Sequence, residues 1–152
     1  MLDETDIRIL QVLIRDGRAT LKDVGDHARL SSPTVAERMR RLEEGGVIRA
    51  YTVDLDPSLL GYSLQALVRV RPLAGKVHIV QQALEQIAEI CECHKITGED
   101  CFMELVAARS MEQLDAIVDR IAEKAETNTS IIKSQPIRRR PPPLQPQAEQ
   151  TA

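Results

Sequence analysis

Hydroxyl and guanidinium side chains are spaced along one side of a helix that we predict to begin at Ser32 and end at Glu44. Ser32 is expected to cap this helix, and Pro33 suits its first turn, where a missing N–H is harmless. At about 100° per residue, the apolar side chains share one narrow arc and should face a core; they are Val35, Met39 and Leu42. Polar groups on and beside the opposite arc match what a DNA major groove presents. The candidate DNA-binding residues are Ser32, Thr34, Glu37, Arg38, Arg40 and Arg41.

The same side chains also have a simpler explanation as a solvated helix face. Charged residues on an exposed helix often only pair with each other, as Glu37 and Arg41 would at a spacing of four. The order of elements favours DNA binding instead, because two helices and a short turn come first and a β-type segment, residues 47–53, follows. That order is typical of a winged helix-turn-helix, whose recognition helix enters the major groove.

The charge distribution is consistent with this prediction although the total charge is not. The net charge of −3 argues against a nucleic-acid partner, and residues 1–60 net −2. Between Arg29 and Arg49, however, five basic and three acidic side chains give a local charge of +2. Aromatic residues are only 2% of the chain, too few to stack the bases of a single strand. We therefore predict double-stranded DNA as the partner.

Three cysteines and a histidine raise the question of a zinc site. Strand alternation turns Cys91 and Cys93 away from the face of His94, and no CxxC or HxxxH spacing supports a metal. No glycine-rich phosphate-binding motif is found, and the other histidines belong to no catalytic motif. We predict no metal, no cofactor and no catalytic residue, and we interpret the cysteines as small buried thiols.

Several features predict a cytoplasmic protein without a membrane segment. Cys91, Cys93 and Cys101 cannot all pair, which suits a reducing compartment. The acidic N-terminus is the reverse of a secretory signal. No apolar run reaches the roughly 18 residues that a membrane span needs.

Apolar periodicity predicts an α+β fold with two domains. Helices capped at Asp3 and Thr20 precede the candidate recognition helix, and Gly17 should end the first of them. The second half predicts a strand at 62–71, a helix at 77–89, strands at 91–97 and 102–108, a helix at 111–124 and a strand at 129–137. This β-α-β-β-α-β order is ferredoxin-like. The predicted domains are a winged helix-turn-helix at 1–53, a linker at 54–61, a ferredoxin-like domain at 62–137 and a disordered tail at 138–152.

Several fragments together resemble the Lrp/AsnC (leucine-responsive/asparagine) family of regulators. In the first 60 residues they are Asp6-Ile7-Arg8-Ile9-Leu10, Asp16-Gly17-Arg18-Ala19-Thr20-Leu21, Leu30-Ser31-Ser32-Pro33-Thr34-Val35, Arg38-Met39-Arg40-Arg41-Leu42-Glu43 and Gly46-Val47-Ile48-Arg49-Ala50-Tyr51. In the second half the fragment is Ile96-Thr97-Gly98-Glu99-Asp100-Cys101-Phe102. The resemblance implies a transcription regulator that responds to amino acids. It also implies dimers formed through the second domain and larger assemblies, often octamers.

The resemblance gives a role to the turn between the second and third predicted strands of the second domain. On residue type alone this is a hairpin turn with acidic tips. In the family the turn lies at an interface between dimers and binds the effector, so the candidate effector-binding residues are Thr97, Gly98, Glu99, Asp100 and Cys101. Backbone N–H groups beside Gly98 could donate hydrogen bonds to the α-carboxylate of an amino acid. Glu99 or Asp100 could pair with its α-ammonium group.

Two residues depart from the family pattern in the helix-turn-helix. The turn before the third helix usually holds a glycine, and here it holds Arg29. A non-glycine residue in left-handed geometry costs roughly 1–2 kcal/mol. The small residue of the second helix, usually alanine, is Gly25.

Two other functions stay open at this point. Sirohaem decarboxylases resemble this family in both domains, and their large anionic substrate needs convergent basic and histidine groups. The second domain offers Arg69, Arg71, His94 and Lys95, which are scattered along the sequence. A small-molecule sensor that has lost DNA binding is the other alternative.

Overall fold

The computed structural model describes residues 2–146. The elements are α1 (Glu4–Arg15), α2 (Leu21–Ala28), α3 (Ser32–Glu44), a short 3₁₀ helix (Pro57–Leu60), β1 (Leu64–Pro72), α4 (Val77–Glu85), β2 (Ile90–Lys95), β3 (Phe102–Ala108), α5 (Met111–Ala122) and β4 (Ala125–Ile131). The described residues divide into an N-terminal unit, 2–54 with 139–146, and an effector unit, 55–138. None of the described helices has the length and apolar character that crossing a membrane requires.

The first two helices begin at the caps that the sequence predicts. The Asp3 carboxylate accepts the backbone N–H of Asp6 at 2.7 Å, and the Thr20 hydroxyl accepts that of Asp23 at 3.1 Å. Both pairs form complete capping boxes, and such caps contribute about 1 kcal/mol each. These caps fix where α1 and α2 start.

Two helix ends differ from the prediction. α1 ends at Arg15 with Asp16 as its C-cap, before Gly17 is reached. The N-cap of α3 is Ser31, so Ser32 is the first helical residue and not the cap. Ser31 has extended backbone geometry, which suits an N-cap, whereas Ser32 already turns with the helix.

The N-terminal unit is built on one apolar cluster shared by its three helices. Its buried members are Ile9, Leu10, Val24, Ala28, Val35 and Leu42. Val35 and Leu42 are the contribution of α3, so the apolar arc predicted for this helix does face the core. The opposite side of α3 is therefore held outward.

The turn between α2 and α3 explains both departures from the family pattern. Arg29 has φ 59° and ψ 48°, the left-handed conformation that a glycine would adopt without strain. Gly25 lies where the chain doubles back: a Cβ added there would be 2.6 Å from the carbonyl oxygen of Leu30. The same close approach lets the Leu30 N–H donate to the Gly25 carbonyl at 2.9 Å. Glycine is therefore needed inside α2, and the strain is left at Arg29.

Replacing Gly25 by alanine is expected to lower the free energy of unfolding of the N-terminal unit by about 2 kcal/mol, because the new methyl group must displace backbone. Arg29→Gly should instead raise it by about 1 kcal/mol by removing left-handed strain. Urea unfolding of the two variants beside the parent chain measures both effects. A Gly25→Ala variant as stable as the parent would contradict this account of the turn.

Residues 47–53 form no strand, contrary to the prediction. The N–H groups of Val47 and Ile48 donate to the carbonyl of Leu42 at 2.9 and 3.0 Å, which closes the end of α3. Beyond Ile48 the segment is exposed, with Val53 at 74%. β-branched residues favour a strand only where a neighbouring strand accepts their hydrogen bonds, and the described chain offers none here.

The effector unit has the predicted ferredoxin-like fold, which confirms the α+β class. Its sheet has the order β2-β3-β1-β4 with every neighbouring pair antiparallel. α4 ends at Glu85, four residues earlier than predicted, and β4 starts at Ala125, four residues earlier than predicted. Strand β4 gains its position by pairing with β1, from Ala66↔Ile131 to Pro72↔Ala125, although its own sequence is mostly polar.

One sheet face carries the core and the other face is open within the described chain. The core residues come from the sheet, α4 and α5, and include Val68, Val70, Phe102, Leu114 and Ile121. Glu104 also lies in this buried layer, with 2% of its surface exposed. On the opposite face Leu67 is 39% exposed.

The predicted tail differs from expectation in one respect. Residues 139–146 contain no helix or strand, but Leu144 is half-buried against the apolar cluster of the N-terminal unit. The remainder of the predicted tail, 147–152, lies outside the described residues.

Candidate nucleic-acid interface and effector turn

The N-terminal end of α3 carries three hydroxyl groups, on Ser31, Ser32 and Thr34, and its first amides have no side-chain cap. The Ser31 hydroxyl lies 2.8 Å from that of Thr34 and makes no hydrogen bond to the helix backbone. Thr34 is exposed and Ser32 is half-buried. The first amides of a helix attract anions such as phosphate. This end of α3 can therefore receive a DNA backbone.

Arg38 is engaged in holding the unit together. Its Nη1 atom lies 2.7 Å from Asp3 Oδ2 and 2.7 Å from Asp6 Oδ1, and only 24% of its side chain is exposed. The hydrogen bonds that Arg38 donates to these two carboxylates raise the pKa of Arg38 above its usual value. Arg38 thus fixes α3 to the start of α1, a contact that the sequence did not indicate.

The other two arginines of α3 differ in their partners. Arg40 pairs with Glu37 at 2.7 Å and also with Glu44. The i,i+4 ion pair between Glu37 and Arg41 is not formed, because both carboxylate oxygens of Glu37 accept hydrogen bonds from Arg40. Arg41 is exposed and contacts no carboxylate within the part of the chain that the structure describes. Arg41 is therefore the α3 cation best placed to meet a phosphate.

A tyrosine beyond α3 fixes one acidic side chain near the helix end. The Tyr51 hydroxyl donates to Glu43 Oε1 at 2.9 Å. Partial desolvation of the Tyr51 side chain, which is still 51% exposed, together with the neighbouring Glu43 carboxylate, raises the pKa of Tyr51 to about 12. Sequence reasoning did not find this pair, since the two residues belong to different predicted elements.

The connection between β2 and β3, residues 96–101, carries the candidate effector-binding residues and is called the effector turn; it is longer than the sequence predicts. β2 ends at Lys95 and β3 begins at Phe102, so residues 96–101 form the connection. The Ile96 N–H donates to the Cys101 carbonyl at 2.8 Å, and the Cys101 N–H donates to the carbonyl of Val70 at 3.0 Å. Gly98 has a φ of +110°, which favours glycine.

An arginine that the sequence did not single out for this turn contacts both of its carboxylates. Arg71 lies 2.7 Å from Glu99, and its Nε atom is 3.8 Å from Asp100 Oδ1. Its Nη1 atom is 3.5 Å from Glu126 on β4. Strand alternation indicates that Arg69 and Arg71 share one face of β1. It does not indicate the contact of Arg71 with Glu99 and Asp100, because that contact depends on the pairing between strands. The turn therefore combines a cation with carboxylates.

The groups considered for tetrapyrrole chemistry do not form one site. Arg69 donates to Asn128 at 2.8 Å, and His94 lies 2.8 Å from Glu92. Lys95 stands 5.9 Å from the ring centre of Phe102. Each basic group thus has a separate partner, and no observation favours a site for a large anion.

The thiols are less buried than predicted. Cys91 and Cys93 are exposed and Cys101 is half-buried, all three as free cysteines. Among the described residues, no cluster of three or more histidine, cysteine or acidic side chains could hold a metal ion. An open cleft of about 360 Å³ between α4 and β2 includes Cys93 and Lys95 but none of residues 97–101. Residues 97–99 are exposed, so the described residues do not enclose the effector turn.

Comparison with known proteins matches both units. Residues 2–49 match the winged helix-turn-helix DNA-binding family, and residues 65–142 match the Lrp/AsnC ligand-binding domain. The chain is 36% identical to the HTH-type transcriptional regulator FL11 of Pyrococcus horikoshii over 120 residues, 79% of this chain and 80% of the relative.

Solved structures give the same result. Bacillus subtilis LrpC has a TM-score of 0.85 at 29% identity, covering 89% of this chain and 96% of that one. The feast or famine regulatory protein of Mycobacterium tuberculosis, complexed with L-methionine, has a TM-score of 0.86 at 32% identity, covering 93% and 98%. The protein is thus a DNA-binding transcription regulator of the Lrp/AsnC family, with an N-terminal helix-turn-helix and a C-terminal ligand-binding domain.

Proposed function

We propose that this regulator binds specific DNA sequences as a dimer and that an amino acid modulates this binding. The observation that carries the proposal is the arrangement of charges at residues 97–101. Arg71 lies there beside the carboxylates of Glu99 and Asp100, within the part of the chain that matches the Lrp/AsnC ligand-binding domain, and a relative of similar structure is known in a complex with L-methionine. We place its action in the cytoplasm and assign it no catalytic role.

The proposed DNA contacts divide the six candidate residues into two groups. Thr34 and Arg41 lie outward and would contact bases or phosphates, with Ser32 beside the first helix amides. Arg38 and the Glu37–Arg40 pair would position α3 more than they read the groove. We thus propose different roles at the DNA for the six residues, which are Ser32, Thr34, Glu37, Arg38, Arg40 and Arg41.

Dimerisation would cover the open face of the effector sheet. Leu67, Met103 and Leu105 lie on that face together with Arg69. A twofold dimer would present two α3 helices to successive major grooves, so the DNA site should be a pseudo-palindrome. Assembly of such dimers into octamers would bring effector turns of neighbouring dimers together and would close the site that one chain leaves open.

At the turn, a bound amino acid would replace some of the contacts that Arg71, Glu99 and Asp100 now make with one another. Its α-carboxylate would take the Arg71 guanidinium and backbone N–H groups beside Gly98, and its α-ammonium would take Glu99 or Asp100. Thr97 and Cys101 flank these groups and would line the site. An effector acts by binding one assembly or helix spacing better than another.

Thermal shift of the full chain against the twenty amino acids tests the effector. A ligand that binds the folded state should raise the melting temperature by mass action. The amino acid found in this way is then added to DNA-binding titrations. If none of the twenty moves either the melting temperature or the DNA affinity, an amino-acid effector is wrong.

Replacing Gly98 by valine is expected to abolish that thermal shift while DNA affinity is unchanged. A β-branched residue at a φ of +110° is strained by about 1–3 kcal/mol, so the turn must move, although nothing lies within 4 Å of the new Cβ. Gly75→Val is the matched control, because Gly75 also has positive φ and open space, but lies in another loop. Equal effector affinity in both variants by calorimetry would remove the turn from the site.

A further inference from the structure

We propose that residues 139–146 are a second DNA-contacting element: Leu144 anchors this segment on the helix-turn-helix unit, and Arg139 and Arg140 then contact DNA phosphates. The segment is called the strap below. This inference rests on the proposed DNA binding through α3 and adds a binding surface outside the helix-turn-helix itself.

The anchor is the first observation. Leu144 is half-buried against the apolar cluster of the N-terminal unit, which contains Leu10, Val24 and Val35. Burial is not general in this part of the chain, since Ile137 is 64% exposed only seven residues earlier. The cluster therefore holds one specific side chain of the strap.

Three consecutive prolines limit how far the arginines can move from that anchor. Pro141, Pro142 and Pro143 each fix φ near −65°, which keeps the segment extended. An extended proline helix rises about 3.1 Å per residue, so Arg140 stays within roughly 12 Å of Leu144. Arg139 and Arg140 are both exposed, and neither contacts a carboxylate among residues 2–146.

The charge of the N-terminal unit shows what the strap supplies. Residues 1–54 carry nine basic and ten acidic side chains, a net charge of −1. Two of the three α3 arginines are already paired with carboxylates of the same unit. The two strap arginines change the net charge of the unit to +1, the sign that a duplex attracts.

Because phosphate contacts carry no base information, the partner chemistry is the DNA backbone itself. The strap should therefore raise affinity for all sequences alike and leave base preference to α3. Each neutralised phosphate steepens the dependence of log affinity on log salt by about 0.9. Two arginines predict a slope steeper by about 2 for each bound subunit.

The test titrates the full chain with a mixed-sequence DNA duplex at several salt concentrations. We expect Arg139→Gln with Arg140→Gln to flatten the salt slope by about 2 per bound subunit and to weaken binding roughly fiftyfold at about 0.1 M salt. Lysine at both positions should restore the slope. Lys133→Gln is the matched control, since Lys133 is an exposed cation of the effector unit and should change the slope little.

A third variant, Leu144→Asp, keeps both arginines but removes the anchor. It should flatten the slope toward that of the double glutamine variant, whereas Leu144→Met should behave as the parent chain does. An unchanged slope in the double glutamine variant would overturn the inference while DNA binding by α3 stands. An unchanged slope in Leu144→Asp would overturn the anchoring, and failure of the parent chain to bind any duplex would overturn the proposed function as well.

Discussion

Replacing Glu104 by glutamine is expected to change the free energy of unfolding of the effector unit more favourably at alkaline pH than at pH 4, by about 3 kcal/mol. Glu104 is 2% exposed, and its Oε1 atom has no hydrogen-bond partner within the described part of the chain. It lies beside Val68 and Cys93 on the neighbouring strands. Burial raises the pKa of the Glu104 carboxyl from 4.5 to about 7. The folded state therefore favours the neutral form of the Glu104 carboxyl.

The direction of the pH effect follows from this raised pKa. Well below pH 4.5 the carboxyl is neutral in both the folded and the unfolded chain, so its ionisation does not lower the free energy of unfolding. As the pH rises from 4.5 to 7, the unfolded chain ionises first and stability is lost. Above that range the loss is constant. Glutamine has almost the same shape and does not titrate, so its variant should lack this loss.

Urea unfolding at a series of pH values measures the difference. Glu123→Gln serves as the control, because Glu123 is an exposed acid of the same unit. If the Glu104→Gln profile runs parallel to that of the parent chain from pH 4 to pH 8, the buried carboxyl does not govern stability.

Charge reversal at Arg38 and at Arg41 should give two different defects. Arg41→Glu is expected to keep its melting temperature and to lose DNA affinity by roughly tenfold or more at about 0.1 M salt for each lost phosphate contact. Arg38→Glu should lose stability as well, by about 3 kcal/mol, because it would place three carboxylates together. Asp6 is the most buried of these, with 11% of its side chain exposed.

Thermal melting and duplex titration of both variants separate the two roles. Arg38→Gln is the intermediate control, since it removes the cation without adding an anion. Should Arg41→Glu bind DNA as tightly as the parent chain, α3 would not contact the duplex through Arg41. Equal melting temperatures for Arg38→Glu and Arg41→Glu would show that the contacts of Arg38 with α1 contribute little.

Elements with local signals were predictable from the sequence. Asp3 and Thr20 cap their helices through residues three positions away, and the apolar spacing of α3 fixed its buried side. The predictions for β4 and for residues 47–53 were less accurate, because a strand forms only where a neighbouring strand pairs with it through backbone hydrogen bonds. The mostly polar β4 is held by β1, whereas the β-branched segment at 47–53 finds no neighbour in the described chain.

The candidate site was predictable in its residues but not in their partners. Arg38 and Asp3 are 35 positions apart, and Arg71 and Glu99 are 28 apart. No periodicity links residues at such distances, since only the packing of α3 on α1 and the pairing of β1 with β3 bring them together. The anchoring of the strap was missed for the same reason, because composition describes an arginine- and proline-rich segment and not the position of Leu144.

Methylation interference on a duplex that the chain selects from a random-sequence pool tests most directly whether α3 lies in the major groove. Guanine N7 faces the major groove, so its methylation should block contact there. If the two α3 helices of a dimer lie in successive major grooves, interference is expected at two clusters of guanines about one helical turn apart. Interference confined to adenine N3 in the minor groove, or none at either position, would contradict this placement of α3.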